Sequence, residues 1–168
     1  MAILHWMPEL DTGIEEIDIQ HRRIVEYINR LYELRDSPNR EGLADVIAEM
    51  VDYTISHFAF EEGVMDSASY MFAGPHKRVH ELFTRRVADF QRRFEAGENV
   101  TADLHGMLSR WLFNHIRNED HGYIDAVKIY QRMVMNSNPE VAQQIRADAL
   151  HEFGRSKRKG FLARLFGR

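Results

Sequence analysis

Apolar residues recur at alternating spacings of three and four along four separate runs of this chain, and no run shows the two-residue alternation of a half-buried strand. This periodicity is the main constraint on the fold. The run TGIEEIDIQHRRIVEYINRLYELR places Ile14, Ile17, His21, Ile24, Ile28 and Leu31 on one face. The run EGLADVIAEMVDYTISHFAFEEGVM does the same for Leu43, Ile47, Met50, Thr54, His57, Glu61 and Val64. A third stripe holds His76, His80, Phe83, Val87, Phe90 and Phe94, and a fourth holds Leu104, Leu108, Trp111 and His115. SPNR, a glycine-containing turn and EAGENVTAD separate the runs, with Thr101 as the expected cap of the fourth helix. Ile124, Val127, Tyr130 and Val134 continue the helical pattern. Short connections make neighbouring helices antiparallel. The expected fold class is therefore all-α, an up-down-up-down four-helix bundle over residues 1–135. One more helix is expected over 136–154, capped by Ser137 or Asn138, with Pro139 in its first turn and Gly154 at its end.

The stripes are not purely apolar. His21, His57, Glu61, His76, His80 and His115 occupy core positions, where an unpartnered polar group costs a few kcal/mol. Six such groups make sense in one core if they share a partner, and a metal centre is the simplest. Their depths agree. His57 and Glu61 come late in the second helix, His76 and His80 early in the third, His21 early in the first and His115 late in the fourth. In an antiparallel bundle these positions meet at one level. Positions four apart on a helix are neighbours, so His57–Glu61 and His76–His80 can each reach one metal or two adjacent ones. Asp120 fits the periodicity less well, at roughly 140° from the His115 direction. Either the helix is irregular near Gly122 or the side chain reaches in from the flank. With no cysteine in the chain, any metal must take nitrogen and oxygen donors. A single H-x3-H among nine histidines is a weak signal; the joint pattern on four helices is specific. His5, His105, His121 and His151 lack that support and are expected to be surface or locally hydrogen-bonded residues.

These residues resemble the hemerythrin family, in particular its single-domain bacterial members, over about residues 1–135. The likeness lies in the lead-in from Trp6 to His21, in HFAFEE (His57 to Glu62), in HKRVH (His76 to His80) and in WLFNHIRNEDHGY (Trp111 to Tyr123). The resemblance implies a non-haem di-iron centre, two Fe ions joined by an oxo or hydroxo bridge. His76, His80 and His115 would hold one iron and His21 and His57 the other, with Glu61 and Asp120 bridging both. Asp120 enters the ligand set through the resemblance. Three histidines would fill one iron's coordination and two would leave a position open on the other. The implied function is reversible dioxygen binding, for storage, delivery or sensing, in a pocket kept apolar. Leu112 matches the family's pocket leucine, and Trp111, Phe58 and Ile24 are expected as its walls.

Two other function classes use comparable ligands or domains: a di-iron oxidase or peroxidase, and a signalling module acting through a partner. Ferritin-like enzymes use E-x-x-H pairs, and here no glutamate has a histidine three residues later. A donor set of five histidines and two carboxylates favours binding over oxidative chemistry, so the expectation is a non-enzyme. Zinc usually takes four ligands, fewer than the seven here.

Composition bounds the rest. Hydrophobic residues make up 44% and charged residues 29%, which suits a globular domain, and the net charge of -4 gives no sign of nucleic-acid binding. That charge is uneven. The stretch RSKRKGFLARLFGR at residues 155–168 holds six basic residues and no acidic one, leaving -10 on residues 1–154. If helical, it sets Phe161, Leu162, Leu165 and Phe166 on one side among basic residues, a pattern suited to an anionic membrane surface or an acidic protein partner. A disordered basic tail fits it equally. The first residues lack the pattern of a signal peptide, so the expected location is cytoplasmic, peripheral at the inner membrane if the tail docks there. The apolar residues are largely accounted for by one core, which favours a monomer.

Overall fold

Each of the four stripes forms one long helix in the computed structural model, which describes residues 3–36 and 39–154. These are α1 (Glu15–Leu34), α2 (Arg40–Ser67), α3 (Ala73–Glu95) and α4 (Thr101–Asn118). Two further helices follow, α5 (Ile124–Ser137) and α6 (Pro139–Gly154). There is no strand among the described residues.

Cross-helix pairs give the topology directly. His21 meets His57, Tyr27 meets Tyr53 and Arg30 meets Glu49, so α1 rises as α2 falls. Phe58 meets Phe83, Glu62 meets His80 and Asp66 meets Lys77, which makes α2 and α3 antiparallel. His80 with His115 and Phe83 with Trp111 do the same for α3 and α4. The bundle is up-down-up-down.

The corners are built by local chemistry. Asn39 caps α2 by accepting from the Gly42 N–H at 2.9 Å. α3 ends in a Schellman turn: Glu98 N–H bonds Arg93 O, Gly97 N–H bonds Phe94 O, and Gly97 takes φ +100°. The end of α2 repeats this geometry, with Tyr70 N–H to Met65 O and Ser69 N–H to Asp66 O, but here Ser69 occupies the left-handed position at φ 51°. Thr101 does not cap α4. Val100 is the cap, its side chain makes no capping bond, and Thr101 is buried as the first helical residue. The entry to α1 is held by Asp18, whose carboxylate accepts from Thr12 N–H, Thr12 O–H and Gly13 N–H at 2.7, 2.7 and 3.0 Å.

The expected continuation of the fourth stripe is interrupted. α4 stops at Asn118, a 3-10 turn spans Asp120–Gly122, and α5 begins as a separate helix. Only Val127 of α5 is buried, with Ile14, Ile17, Met65, Ala73 and Tyr123 around it in a small second core. Asn138 accepts from Val141 N–H at the start of α6, and Arg146 ties α6 to Glu15 and Glu16 of α1. The main core fills the bundle between α1 and α4, from Leu31, Ile47, Phe90 and Leu104 up to Phe58, Leu112 and Ile116. No helix of the described residues is long and apolar enough to cross a membrane. The basic stretch read as a docking tail, residues 155–168, lies outside the described residues.

Candidate metal centre

All seven expected ligand positions converge in the upper part of the bundle, and every one is buried: His21 on α1, His57 and Glu61 on α2, His76 and His80 on α3, His115 on α4, and Asp120 on the 3-10 turn. Asp120 reaches the cluster because the helix breaks. Ending α4 at Asn118 and tightening the chain through Glu119 O to Gly122 N–H turns the Asp120 carboxyl inward, fully buried. Of the two readings the periodicity left open, the irregular helix is the observed one.

The donor atoms fall into two sets. Glu61, His76, His80, His115 and Asp120 each offer an atom within 4.8 Å of the others, and His21, His57 and Glu61 form a second such group. The carboxylates are split between them. Glu61 Oε1 lies 3.6 Å from Nε2 of both His21 and His57, while Oε2 lies 3.4 Å from His80 Nε2. Asp120 Oδ2 lies 3.3 Å from His21 Nε2, while Oδ1 lies 3.0 Å from His115 Nε2 and 3.4 Å from His76 Nε2.

Hydrogen bonding alone does not account for this arrangement. His80 Nε2 stands 3.0 Å from the Nε2 atoms of both His76 and His115. One shared proton can serve only one such pair. Perpendicular donors about 2.1 Å from a common cation would be about 3.0 Å apart, so the three nitrogens have the spacing of ligands to one ion. Glu61 Oε2, both Asp120 oxygens and both His21 nitrogens are buried with no hydrogen-bond partner, a costly state in a core. The residues fit a metal.

Electrostatics point the same way. Burial pushes His57 down to about 3, against the pull of Glu61. Burial also pushes His76 down to about 4, with His80 adding to it. Burial works against charge on Glu61 and Asp120, yet the surrounding imidazoles hold both carboxyls well below their usual range. Neutral imidazole beside ionised carboxylate is the protonation state that metal ligands require. His21 and His80 differ. Burial opposes charge on both, but Asp120 and Glu61 outweigh it at His21 and push it up to about 9, and Glu61 with Glu62 raises His80. In the absence of a metal, a proton on His21 therefore plays part of the cation's role between the carboxylates.

The surroundings orient these groups. Phe58 stacks on His80 at 3.8 Å and 7°, and Trp111 stacks on His115 at 4.3 Å and 16°. Phe83 stacks on Trp111 in turn. Of the four expected pocket residues, Phe58 and Trp111 thus touch ligand rings, and the rings they stack on belong to the three-histidine set. Leu112 and Ile24 are buried in the core below. On the other side, Trp6 lies over His21 at 6.3 Å. His5, His121 and His151 are exposed, as expected, whereas His105 is buried away from the cluster and packs on Tyr32.

Four contributors were not assigned a role from sequence. Gln20 Oε1 lies 2.8 Å from His57 Nδ1, Glu62 Oε1 lies 3.0 Å from His80 Nδ1, and Tyr123 O–H donates to Glu61 Oε1 at 2.5 Å. Trp6 is the fourth. All lie within or at the ends of the motifs quoted above; Gln20 and Glu62 are next to a ligand and Tyr123 is three residues from one, whereas Trp6 is 15 residues from His21 and carries no such signal.

Comparison with known proteins agrees with this geometry. The family model described as a hemerythrin HHE cation binding domain matches residues 12–127. The bacteriohemerythrin of Pseudomonas aeruginosa is 56% identical over 128 residues, covering 76% of this chain and 84% of that protein. That of Stenotrophomonas maltophilia is 53% identical over 130 residues, covering 77% and 85%. The crystal structure of a wild-type hemerythrin superposes with a TM-score of 0.72 at 30% identity, covering 75% of this chain and 98% of its own.

Proposed function

The chain belongs to the hemerythrin family, and from that premise we propose that it binds dioxygen reversibly at a pair of non-haem irons. The observation that carries this reading is the division of two carboxylates between two histidine sets, with Glu61 and Asp120 each turning one oxygen to either side. His76, His80 and His115 would hold one iron, His21 and His57 the other, and the two carboxylates would bridge. A ferrous pair would supply the two electrons and the open coordination position that dioxygen binding needs. Imidazole suits iron, and five nitrogens with two shared carboxylates exceed what a single zinc ion takes.

The protein's own groups provide the rest. Phe58, Trp111 and Phe83 form an aromatic wall that keeps water from the three-histidine side. Gln20 and Glu62, by accepting at Nδ1, leave Nε2 of His57 and His80 free to face the metals. Tyr123, whose phenol burial holds protonated well above its ordinary range, fixes Glu61 through a donated hydrogen bond. The unequal histidine count, three against two, supports binding at the two-histidine iron.

The test is anaerobic reduction of the iron-loaded protein followed by oxygen. Reversible binding gives a visible charge-transfer band that appears with oxygen and vanishes when oxygen is removed, with two irons per chain by metal analysis. Bleaching to the oxidised form with no oxygenated species points instead to oxidase chemistry or sensing. His115→Ala removes one nitrogen of the three-histidine set and is expected to abolish stable binding; an unchanged spectrum refutes the assignment. We also propose that residues 155–168 determine placement, by contact with an anionic membrane surface. Loss of vesicle pelleting at low salt in a chain ending at residue 154 supports this, and equal pelleting ends it.

A further inference from the structure

Two of the five imidazoles are backed by groups of different charge, and the difference falls across the proposed iron pair, on which this inference rests. His80 Nδ1 faces Glu62 Oε1 at 3.0 Å, and the Glu62 side chain is 30% exposed. His57 Nδ1 faces Gln20 Oε1 at 2.8 Å, and Gln20 is fully buried. For orientation the two contacts are equivalent, because an acceptor at Nδ1 fixes the tautomer that leaves Nε2 free. For charge they are not. A carboxylate draws the Nδ1 proton towards itself and makes Nε2 a stronger donor; a neutral amide does so less.

Two of the remaining imidazoles balance each other. His21 in one set and His115 in the other both have buried Nδ1 atoms without a hydrogen-bond partner, so they contribute alike, and His76 is the extra histidine of its set. The bridging carboxylates turn one oxygen to each side, and Tyr123 donates to Glu61 Oε1 on the two-histidine side, which weakens that oxygen as a donor and adds to the same inequality. Beyond three histidines against two, the charge behind His80 and the Tyr123 hydrogen bond to Glu61 Oε1 distinguish the sides. A stronger donor set stabilises the more highly charged metal ion.

We propose that Glu62 and Gln20 are positioning residues that make the two irons electronically unequal: the iron held by His76, His80 and His115 loses its electron first to a one-electron oxidant such as ferricyanide. Each iron(II) becomes iron(III) in its own one-electron step. The Glu62 carboxyl group stands behind the three-histidine side only, while the buried Gln20 keeps a third carboxyl group out of the two-histidine side.

The test uses the full-length chain loaded with iron. Metal analysis comes first; fewer than two irons per chain overturns the proposed function and this inference together. With two irons present, redox titration is expected to resolve two one-electron steps. Glu62→Gln, which keeps size and an acceptor but removes the charge, is expected to shift the first step about tenfold, which is about 59 mV upward for one electron. Gln20→Glu is expected to lower the second step, so both variants draw the steps together from opposite ends. Two irons with both steps unmoved in Glu62→Gln, or with only the second moved, overturn the inference and leave the function standing. A redox-silent readout accompanies it. Zinc calorimetry on the iron-free chain is expected to show roughly tenfold weaker binding in Glu62→Gln, restored in Glu62→Asp. Equal affinity in wild type and Glu62→Gln counts against a donor effect at His80.

Discussion

Tyr123, on the segment that closes the bundle after Asp120, donates its hydroxyl proton to Oε1 of Glu61 at 2.5 Å, across 62 positions of sequence. Glu61 Oε1 is also the oxygen that faces His21 and His57. The contact therefore ties the second core, where Tyr123 is fully buried, to a bridging carboxylate. Tyr123→Phe removes the donor while keeping the ring. Metal affinity is expected to fall roughly 10-fold, the lower end for groups that orient ligands, while far-ultraviolet circular dichroism stays unchanged. Metal titration of wild type and variant side by side checks this.

Removing the metal should cost stability on a scale set by mass action. A ligand at about 1,000 times its dissociation constant stabilises the folded state by about 4 kcal/mol. For a chain of this size each kcal/mol moves the melting temperature by about 2–4 °C. Chelation is thus expected to lower the melting temperature by roughly 8–16 °C. The cause is local: buried Glu61 Oε2 and both Asp120 oxygens have no hydrogen-bond partner to compensate them. Calorimetric scans with and without chelator measure the shift, and a change below about 2 °C contradicts the idea that these residues share an ion.

Much of this is legible in the amino-acid sequence. The stripes predict four helices because burial on one face imposes a 3.6-residue period, and polar residues at buried positions advertise a shared partner. His21, His57, Glu61, His76, His80 and His115 could be read this way. Asp120 could not, because a helix end is set by backbone bonds such as Glu119 N–H to His115 O, which leave no periodic trace. The same limit hid the separation of α5 from α4. Gln20 and Glu62 escaped for another reason. Their partners are 37 and 18 residues away, on neighbouring helices, and a cross-helix contact is written in packing rather than in spacing. Thr101 departs from its expected capping role because a good capping residue does not cap when burial takes its side chain inward.

Ser69 offers a stabilising substitution away from the centre. It sits at φ 51° in the turn that joins α2 to α3 and so sets His57 and Glu61 level with His76 and His80. A side chain in the left-handed region costs about 1–2 kcal/mol, and glycine returns about 0.5–1 kcal/mol of that in unfolded-state entropy. Ser69→Gly is expected to raise unfolding free energy by about 0.5–1 kcal/mol with metal content unchanged. Urea denaturation of the metal-loaded proteins decides it; a destabilised variant means the serine side chain contributes more than its backbone strain.

The metal-free protein should be most stable near pH 6.5 and lose stability on either side. His57 and His76 have folded values pushed down to about 3 and about 4, while an unfolded histidine titrates near about 6.5. Below that value the unfolded chain takes up protons the folded chain refuses, so stability falls as pH drops towards 4, by about 1.4 kcal/mol per proton per pH unit. His21 works in the opposite sense. Its folded value is pushed up to about 9, so its pairing with Asp120 and Glu61 contributes fully below about 6.5 and is lost as pH rises through 9. Metal binding replaces the His21 proton between the same carboxylates. The alkaline loss is therefore expected to disappear in the metal-loaded protein, while the acid loss remains because protons compete for every imidazole. Denaturation at pH 5, 6.5 and 9, with chelator and with metal, tests both arms. An alkaline slope that persists after metal loading would show that His21 or His80 stays charged, which a metal-bound imidazole cannot be.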